Sequence, residues 1–228
     1  MPAVFSALSK ANGRTVQSDM LVRGGATLTD RLNDGLVANA LKKNHYDVMV
    51  LQERGGELMG AFGDTAETQS KAALKSYAAL AQQAGVKVFL LGSYQPSAGP
   101  SQTLVEMEKS AAMAAGVTYI EVSENLRHLR KLHPDMAWFS TDGTMHPGKD
   151  LALLDAVLLY QAIYADLPAS TNLVVNAPMY TARYSPNLEL LSADSASAHK
   201  DIELSVNYSV TTLKEMIDDL VSKPKAGK

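Results

Sequence analysis

One segment in the second half of the chain combines residue types that suit a general base. It reads Trp-Phe-Ser-Thr-Asp-Gly-Thr-Met-His-Pro over positions 138–147. Pro147 restricts the backbone beside His146, and Asp142 lies four residues earlier, ahead of a long apolar stretch. An imidazole can take up and return a proton near neutral pH, and a carboxylate can orient it. The segment therefore predicts His146 as a general base and Asp142 as its partner.

The other histidines lack such a setting. His45 lies in a charged turn, His128 and His133 lie on a Lys/Arg-rich helical stretch, and His199 lies in a small, polar segment. We expect each of them at the surface. No pair has the spacing of a metal site, and the chain has no cysteine, so we expect neither a metal nor another cofactor.

Two further groups of residues follow predicted strands, where open parallel sheets bind their ligands. Gly24 and Gly25 allow a tight turn and leave backbone N–H groups near a helix start, which suits an anion or oxyanion. An ordinary strand-to-helix turn is the alternative. Gln52, Glu53 and Arg54 end a very apolar strand and are expected to face a cleft. A solvated strand end is the alternative there.

The elements that position these residues alternate between strands and helices. Apolar patterns predict strands over residues 15–22, 47–53, 86–92 and 117–122. Helical periodicity lies between and after them, over residues 29–41, 65–84, 101–115, 151–165 and 213–221. Such alternation requires crossover connections, so we predict a parallel sheet in a three-layer α/β/α sandwich with a flavodoxin-like arrangement.

Composition limits the classes of function. The chain has 228 residues, of which 46% are hydrophobic and 20% charged, and this fits one ordinary globular domain. A net charge of −3 gives no reason to expect nucleic acid or an anionic membrane as a partner. No apolar run has the length of a membrane span. The sequence leaves the cellular location undecided.

The motifs, in their order, resemble a known family. Gly-Gly-Ala-Thr-Leu at 24–28, Asp-Val-Met-Val-Leu-Gln-Glu at 47–53 and Asp-Gly-Thr-Met-His-Pro at 142–147 resemble the SGNH (GDSL-type) hydrolases, in particular a bacterial branch with a Leu-Gln-Glu second motif. The resemblance covers about residues 2–165. It implies one SGNH-like domain over residues 1–228, with a C-terminal extension over residues 166–228.

The resemblance also implies roles. Gly25 or Gly24 would donate a backbone N–H to the oxyanion, and Gln52 would lie near the second oxyanion position. His146 would be the base and Asp142 its partner, although relatives usually space this pair as Asp-x-x-His, one residue closer. We expect Gly25, Gln52, Asp142 and His146 to converge at the carboxyl edge of the sheet.

The family's nucleophile is missing from this sequence. Relatives begin with a strand and a Gly-Asp-Ser or Gly-Asn-Ser turn, and neither tripeptide occurs here. The resemblance therefore implies a chain truncated before its serine and a sheet that lacks its first strand. Residues 15–22, residues 173–175 or a partner chain in a homodimer could fill that gap. Ser93, at the end of a predicted strand, is the first candidate for a substitute nucleophile.

Three hypotheses follow from these observations. The leading one is a serine esterase for acyl or acetyl esters, with a small-molecule or carbohydrate ester as substrate and weak or no activity without the serine. The second is a non-catalytic SGNH-like domain that binds a ligand or partner through the same cleft. The third is an unrelated flavodoxin-like binding domain; the chain has no Gly-x-Gly-x-x-Gly or Walker-type loop for a nucleotide.

Overall fold

The structure is a computed structural model that describes residues 1–21, 23–141, 145–176, 191–192 and 205–223. These residues form two compact units. The central unit comprises the described part of residues 21–124. The terminal unit comprises residues 1–20 and the described residues from 125 onward.

Helices and strands alternate along most of the described chain. In chain order they are α1 (Pro2–Ala11), β1 (Asp19–Met20), α2 (Leu28–Asn33), α3 (Leu36–Lys43), β2 (Val48–Leu51), a 3₁₀ turn (Glu57–Met59), α4 (Asp64–Ala84), β3 (Lys87–Leu91), α5 (Ala98–Ala115), β4 (Thr118–Ile120), α6 (Ser123–Leu132), α7 (Lys149–Tyr164), β5 (Leu173–Asn176), β6 (Leu191–Ser192), β7 (Ser205–Tyr208) and α8 (Val210–Ser222). No helix within these described ranges is long and apolar enough to cross a membrane.

The central unit contains a parallel sheet in the order β2-β3-β4. Val48 pairs with Lys87, and Phe89 pairs with Thr118. Parallel neighbours need a crossover, and α4 and α5 supply the two crossovers. The fold is therefore mixed α/β, with a parallel three-stranded sheet flanked by helices, as predicted for residues 47–53, 86–92 and 117–122.

Both faces of this sheet are buried, as the continuous apolar runs of its strands require. One face packs with α4 and α5 in a core that contains Leu51, Leu74, Tyr77, Leu90 and Ala112. On the opposite face Phe89, Leu91 and Ile120 are at most 5% exposed. The crossover helices end where glycine permits a left-handed residue, at Gly85 (φ +70°) and Gly116 (φ +69°).

The terminal unit is centred on α7, which is buried on all sides from Asp150 to Tyr160. The first helix, α1, packs against α7 and β5. Strands β5 and β7 form an antiparallel pair. The final helix, α8, buries Leu213, Met216 and Ile217 on one face, so the predicted amphipathic helix is confirmed.

The strand predicted over residues 15–22 is wrong in its length and in its pairing. Only Asp19–Met20 is a strand, and it pairs antiparallel with Leu191–Ser192. The polar residues within 15–22 fit a partly exposed antiparallel strand better than a parallel strand buried on both faces. Residues 173–175 do not extend the parallel sheet either, since β5 pairs with β7. Among the described residues β2 has β3 as its strand partner, and the homodimer stays a prediction.

A buried ion pair joins α2 to the start of α3. The Nη2 atom of Arg31 lies 3.0 Å from Oδ2 of Asp34, and the two side chains are 9% and 15% exposed. Oδ1 of Asp34 accepts the backbone N–H of Leu36 at 2.9 Å. The contact is an ion pair without hydrogen-bond geometry, since Nε, Nη1 and Nη2 of Arg31 and Oδ2 of Asp34 have no hydrogen-bond partner among the described residues. Asp34 is therefore the one described acidic group paired with this guanidinium.

We expect Asp34→Asn to destabilise the protein by about 3–5 kcal/mol, because it leaves a buried guanidinium without its counter-charge. The asparagine keeps an oxygen for the N–H of Leu36. Adding Arg31→Met should restore most of the loss, because no unpaired charge then remains buried. Urea unfolding of the two variants and the wild type measures these differences. A loss below about 1 kcal/mol for Asp34→Asn would mean that Arg31 is solvated.

Candidate functional site

The Gly24–Gly25 turn presents free backbone donors. The N–H of Ala26 donates to the carbonyl of Arg23 at 3.2 Å and closes the turn, in which Gly25 has φ +71°. Both glycines are exposed, and neither of their N–H groups has a partner among the described residues. A Cβ at Gly25 would meet nothing within 4 Å, so the positive φ, and not the space, favours glycine. Two adjacent free N–H groups suit an anionic oxygen.

Glu53 connects this turn to the end of β2. Its carboxylate accepts the N–H of Leu28 at 3.1 Å and the N–H of Arg54 at 2.8 Å, and it also accepts the hydroxyl of Ser70. The side chain is 5% exposed. It therefore does not face a cleft, contrary to the prediction for residues 52–54. It holds the start of α2, which follows the Gly24–Gly25 turn, against the carboxyl end of β2.

Burial raises the pKa of Glu53 above its usual value. The hydrogen bonds from Ser70, Arg54 and Leu28 act in the opposite direction, and the nearby charge of Glu57 adds to the rise. All of these bonds go to the charged form of a fixed carboxylate. Glu53 is consequently a structural connector between α2, β2 and α4.

Gln52 is exposed at the same strand end, and its predicted place in a cleft stays a prediction. Its amide Nε2 donates to the carbonyl of Gly92 at 3.3 Å, just after β3. An amide nitrogen carries two N–H donors, so this bond orients the group and leaves a second donor for a ligand. Gln52 and Arg54 are both exposed, whereas Glu53 between them is buried.

Ser93 is poorly placed as a nucleophile. Its Oγ donates to the carbonyl of Glu53 at 3.0 Å, and the residue is 4% exposed. Its backbone N–H donates to the carboxylate of Glu108 at 3.0 Å. A nucleophilic serine needs a base within hydrogen-bond reach and access to the substrate. The described geometry gives Ser93 the role of joining the ends of β2 and β3.

Glu108 is a second buried carboxyl group at this edge. It is 1% exposed and also accepts the hydroxyl of Tyr119 at 2.9 Å. Burial raises the pKa of Glu108, while the hydrogen bonds from Ser93 and Tyr119 oppose that rise. Burial beside this carboxyl also raises the pKa of Tyr119, which keeps its proton as the donor.

The hairpin that carries His146 belongs to the terminal unit. Phe139 bridges to Pro147, and the N–H of Ser140 donates to the carbonyl of His146 at 2.9 Å. The His146 side chain is exposed. Asp142 lies outside the described residues, so its pairing with His146 and the convergence of the four predicted site residues stay predictions.

Two residues that the sequence patterns did not single out fix this hairpin to α7. A Cβ at Gly148 would lie 2.1 Å from the carbonyl oxygen of Ala137, so only glycine fits there. Asp150 accepts the N–H of Ala137 at 2.7 Å, and its own N–H donates to the Ala137 carbonyl at 3.1 Å. The Pro-Gly-x-Asp sequence before a helix was the available signal, since an acidic residue in the first turn binds free N–H groups.

The other histidines only partly match the surface prediction. The side chain of His45 is 88% exposed, as predicted. His133 is 21% exposed, and its Nε2 lies 2.6 Å from a carboxylate oxygen of Asp219 on α8. Nε2 of His128 is buried without a partner among the described residues. His199 lies outside them. No group of three or more His, Asp or Glu residues that could hold a metal is found in the described ranges.

Comparisons with known proteins show a similar fold. Neither a protein-family model nor a curated protein matches this chain. Among solved structures, a DUF4886 family protein from Bacteroides uniformis ATCC 8492 is similar, with a TM-score of 0.57 and 14% sequence identity. The match covers 71% of this chain and 76% of that chain. At this identity the similarity concerns the fold alone.

We expect Glu108→Gln to flatten the pH dependence of stability. A carboxyl group with a raised pKa holds its proton longer in the folded state, so stability falls as pH rises from the unfolded value of about 4.3 through the folded value. Glutamine removes this titration and keeps an oxygen for Ser93 and Tyr119. The free energy of unfolding of Glu108→Gln should therefore lie less far below that of the wild type at about pH 8 than at about pH 4.

Urea unfolding across this pH range tests the expectation. Glu106→Gln, an exposed change two residues earlier on α5, is the matched control and should run parallel to the wild type. If the stability of Glu108→Gln and that of the wild type changed with pH in the same way, the raised pKa of Glu108 would be contradicted.

Proposed function

We propose that this chain carries the oxyanion-binding groups and the general base of an SGNH-type ester-hydrolase site, which acts on acyl or acetyl esters. The observation that supports this most strongly is the link made by Glu53. It ties the start of α2, three residues after Gly25, to the end of β2, which carries Gln52, and the N–H groups of Gly24 and Gly25 have no partner among the described residues. These are donors without acceptors, and the end of β2 lies at the edge where open α/β sheets bind ligands.

These donors suit the charge that develops during ester hydrolysis. Attack on an ester carbonyl produces a tetrahedral species whose oxygen becomes negative, and donors fixed beforehand stabilise it without reorganising. The N–H groups of Gly24 and Gly25 and the second N–H of Gln52 are assigned this role. The turn and the Gln52–Gly92 hydrogen bond fix their directions before a substrate arrives.

His146 is assigned the proton transfers. In this chemistry the imidazole accepts the proton of the attacking hydroxyl and then gives it to the leaving alkoxide. The exposure of His146 and the hydrogen bond from the N–H of Ser140 to its carbonyl support this assignment. The resemblance to the SGNH hydrolases gives Asp142 the role of orienting the ring.

The attacking hydroxyl is the missing part of the proposed site. No Gly-Asp-Ser or Gly-Asn-Ser occurs in the sequence, and Ser93 is buried with its hydroxyl bonded to a carbonyl. The 228 residues alone should therefore hydrolyse esters weakly. Oxyanion donors and binding groups without a working triad leave roughly 10³–10⁴-fold catalysis over water.

A non-catalytic binding domain is the second candidate. The bonded state of Ser93 favours it, because a buried hydroxyl that donates to a carbonyl is a poor replacement nucleophile. In that case the free donors at Gly24, Gly25 and Gln52 would bind an anionic or carbonyl-containing ligand without converting it.

The test compares the 228-residue chain with a form extended upstream to include a Gly-Asx-Ser turn. We expect the 228-residue chain to hydrolyse p-nitrophenyl acetate weakly and to resist labelling by a fluorophosphonate, because it lacks the nucleophile. The extended form should label and hydrolyse. His146→Ala should then lower its kcat/KM by about 10²–10⁴-fold, the usual contribution of a general base.

His45→Ala is the matched control, because free imidazole groups also react with activated esters. His45 is exposed and precedes β2, at the opposite edge of the sheet, so its loss should leave kcat/KM unchanged. Strong labelling of the 228-residue chain would refute the assignment of the nucleophile. An extended form that stays inactive would favour the binding domain.

A further inference from the structure

An aromatic ring is exposed in the loop that follows β2. Phe62 is 56% exposed and lies between the 3₁₀ turn and α4. Its neighbours Ala61, Gly63 and Asp64 are exposed as well, so no core element covers the ring. Exposure of a large apolar side chain costs free energy unless the ring has another use.

The ring is nevertheless held in place. The guanidinium carbon of Arg54 lies 4.5 Å from the ring centroid. Nε of Arg54 donates to Oε1 of Glu57 at 2.5 Å, and Glu57 is 1% exposed. A Cβ at Gly56 would lie 3.0 Å from Cε2 of Phe62, so glycine lets the backbone approach the ring edge. With one face under the guanidinium and one edge against Gly56, the exposed area lies largely on the other face.

The loop itself is fixed by short-range hydrogen bonds. The N–H of Ala61 donates to the carbonyl of Gly56 at 3.0 Å, and the N–H of Gly63 donates to the carbonyl of Gly60 at 3.0 Å. Gly56 and Gly60 have φ values of +120° and +74°, which glycine adopts without strain. A ligand that stacks on Phe62 would therefore meet a pre-ordered surface and would lose little binding energy to ordering it.

The ring belongs to the same edge of the sheet as the proposed donors. Arg54, which lies over the ring, follows β2 by three residues. The pKa of Asp30, at the start of α2, is lowered mainly by hydrogen bonds from the N–H and hydroxyl of Thr27. The positive charges of Arg23 and Arg54 lower it further, so Arg54 also acts on the start of α2. Phe62 thus lies beside the carboxyl end of β2.

The surroundings of the ring decide between kinds of ligand. An acyl chain or a planar apolar group prefers a concave site with apolar walls, and the exposed neighbours of Phe62 form no such wall. A pyranose ring has an apolar C–H face and hydroxyl groups around its edge. It needs one open aromatic face with a polar side chain beside it, and the guanidinium of Arg54 supplies this.

We propose that the open face of Phe62 is a stacking surface for a pyranose ring, so that the ester acted on at this edge is an acylated carbohydrate. The carbohydrate-binding part stands on the loop geometry, whereas the ester part rests on the proposed function. Glu57 is a positioning residue, because it acts through the guanidinium of Arg54 that it holds over the ring.

The experiment measures carbohydrate binding separately from hydrolysis. Xylobiose and cellobiose are the probes, and saturation-transfer NMR with the 228-residue chain is the readout. We expect the sugar C–H protons to receive saturation from the wild type. Phe62→Ala should raise the Kd by about two- to tenfold, as expected for the loss of one aromatic contact. Phe62→Trp should keep or strengthen binding, because it keeps the stacking face.

Met113→Ala is the matched control. Met113 is 77% exposed near the end of α5, and α5 runs from the carboxyl edge to the amino edge of the sheet. This change removes exposed apolar surface at the opposite edge and should leave sugar binding unchanged. Thermal unfolding of each variant shows whether the fold is retained.

Three results would overturn the stacking surface. They are no sugar binding by the wild type, equal binding by Phe62→Ala, and a change of oligomeric state in Phe62→Ala that identifies the ring as a contact between copies. In the extended form, Phe62→Ala should raise KM for acetylated xylobiose but not for p-nitrophenyl acetate. Phe62-dependent sugar binding without any esterase activity would refute the proposed function alone. Esterase activity on acetylated xylobiose that is unchanged in Phe62→Ala would refute the stacking surface alone.

Discussion

The carboxylate of Glu53 is the contact on which the described edge of the sheet depends. A buried carboxylate is costly unless hydrogen bonds replace its water, and Glu53 receives such bonds from α2, from the residue after itself and from α4. Because one of these donors is the N–H of Leu28, the start of α2 is held against the end of β2.

The elements predicted correctly are those whose signals are local. Continuous apolar runs at 47–53 and 86–92 identify strands buried on both faces, and Gly85 and Gly116 mark the ends of long helices. Pairing is a non-local property. The alternation at 15–22 indicates an extended segment, but nothing in it shows that its partner lies at residues 191–192 or that the pair is antiparallel.

The residues of the candidate site also divide into those that local sequence patterns identify and those that depend on non-local contacts. A polar side chain after a predicted strand identifies Gln52, because the carboxyl ends of parallel strands share one edge. Gly24 and Gly25 follow β1, which pairs antiparallel with β6, so this rule does not locate them. The burial of Glu53 could not be inferred, since its partners come from separate helices and a strand-end carboxylate usually meets solvent. Phe62 was missed because one aromatic residue in a glycine-rich loop has no periodicity. Only its contacts with Arg54 and Gly56 distinguish it from a loose loop residue.

The described residues of the central unit also limit which groups can transfer a proton at this edge. Glu53 and Glu108 are buried and already accept several hydrogen bonds, so neither can approach a reacting atom. The single histidine among residues 21–124 is His45, which precedes β2 and so lies at the opposite edge of the sheet. The N–H groups of Gly24 and Gly25 and the amide of Gln52 are donors that can stabilise a developing negative charge. They have no proton to take up near neutral pH, so in this proposal they bind the oxyanion and leave the proton transfer to another group.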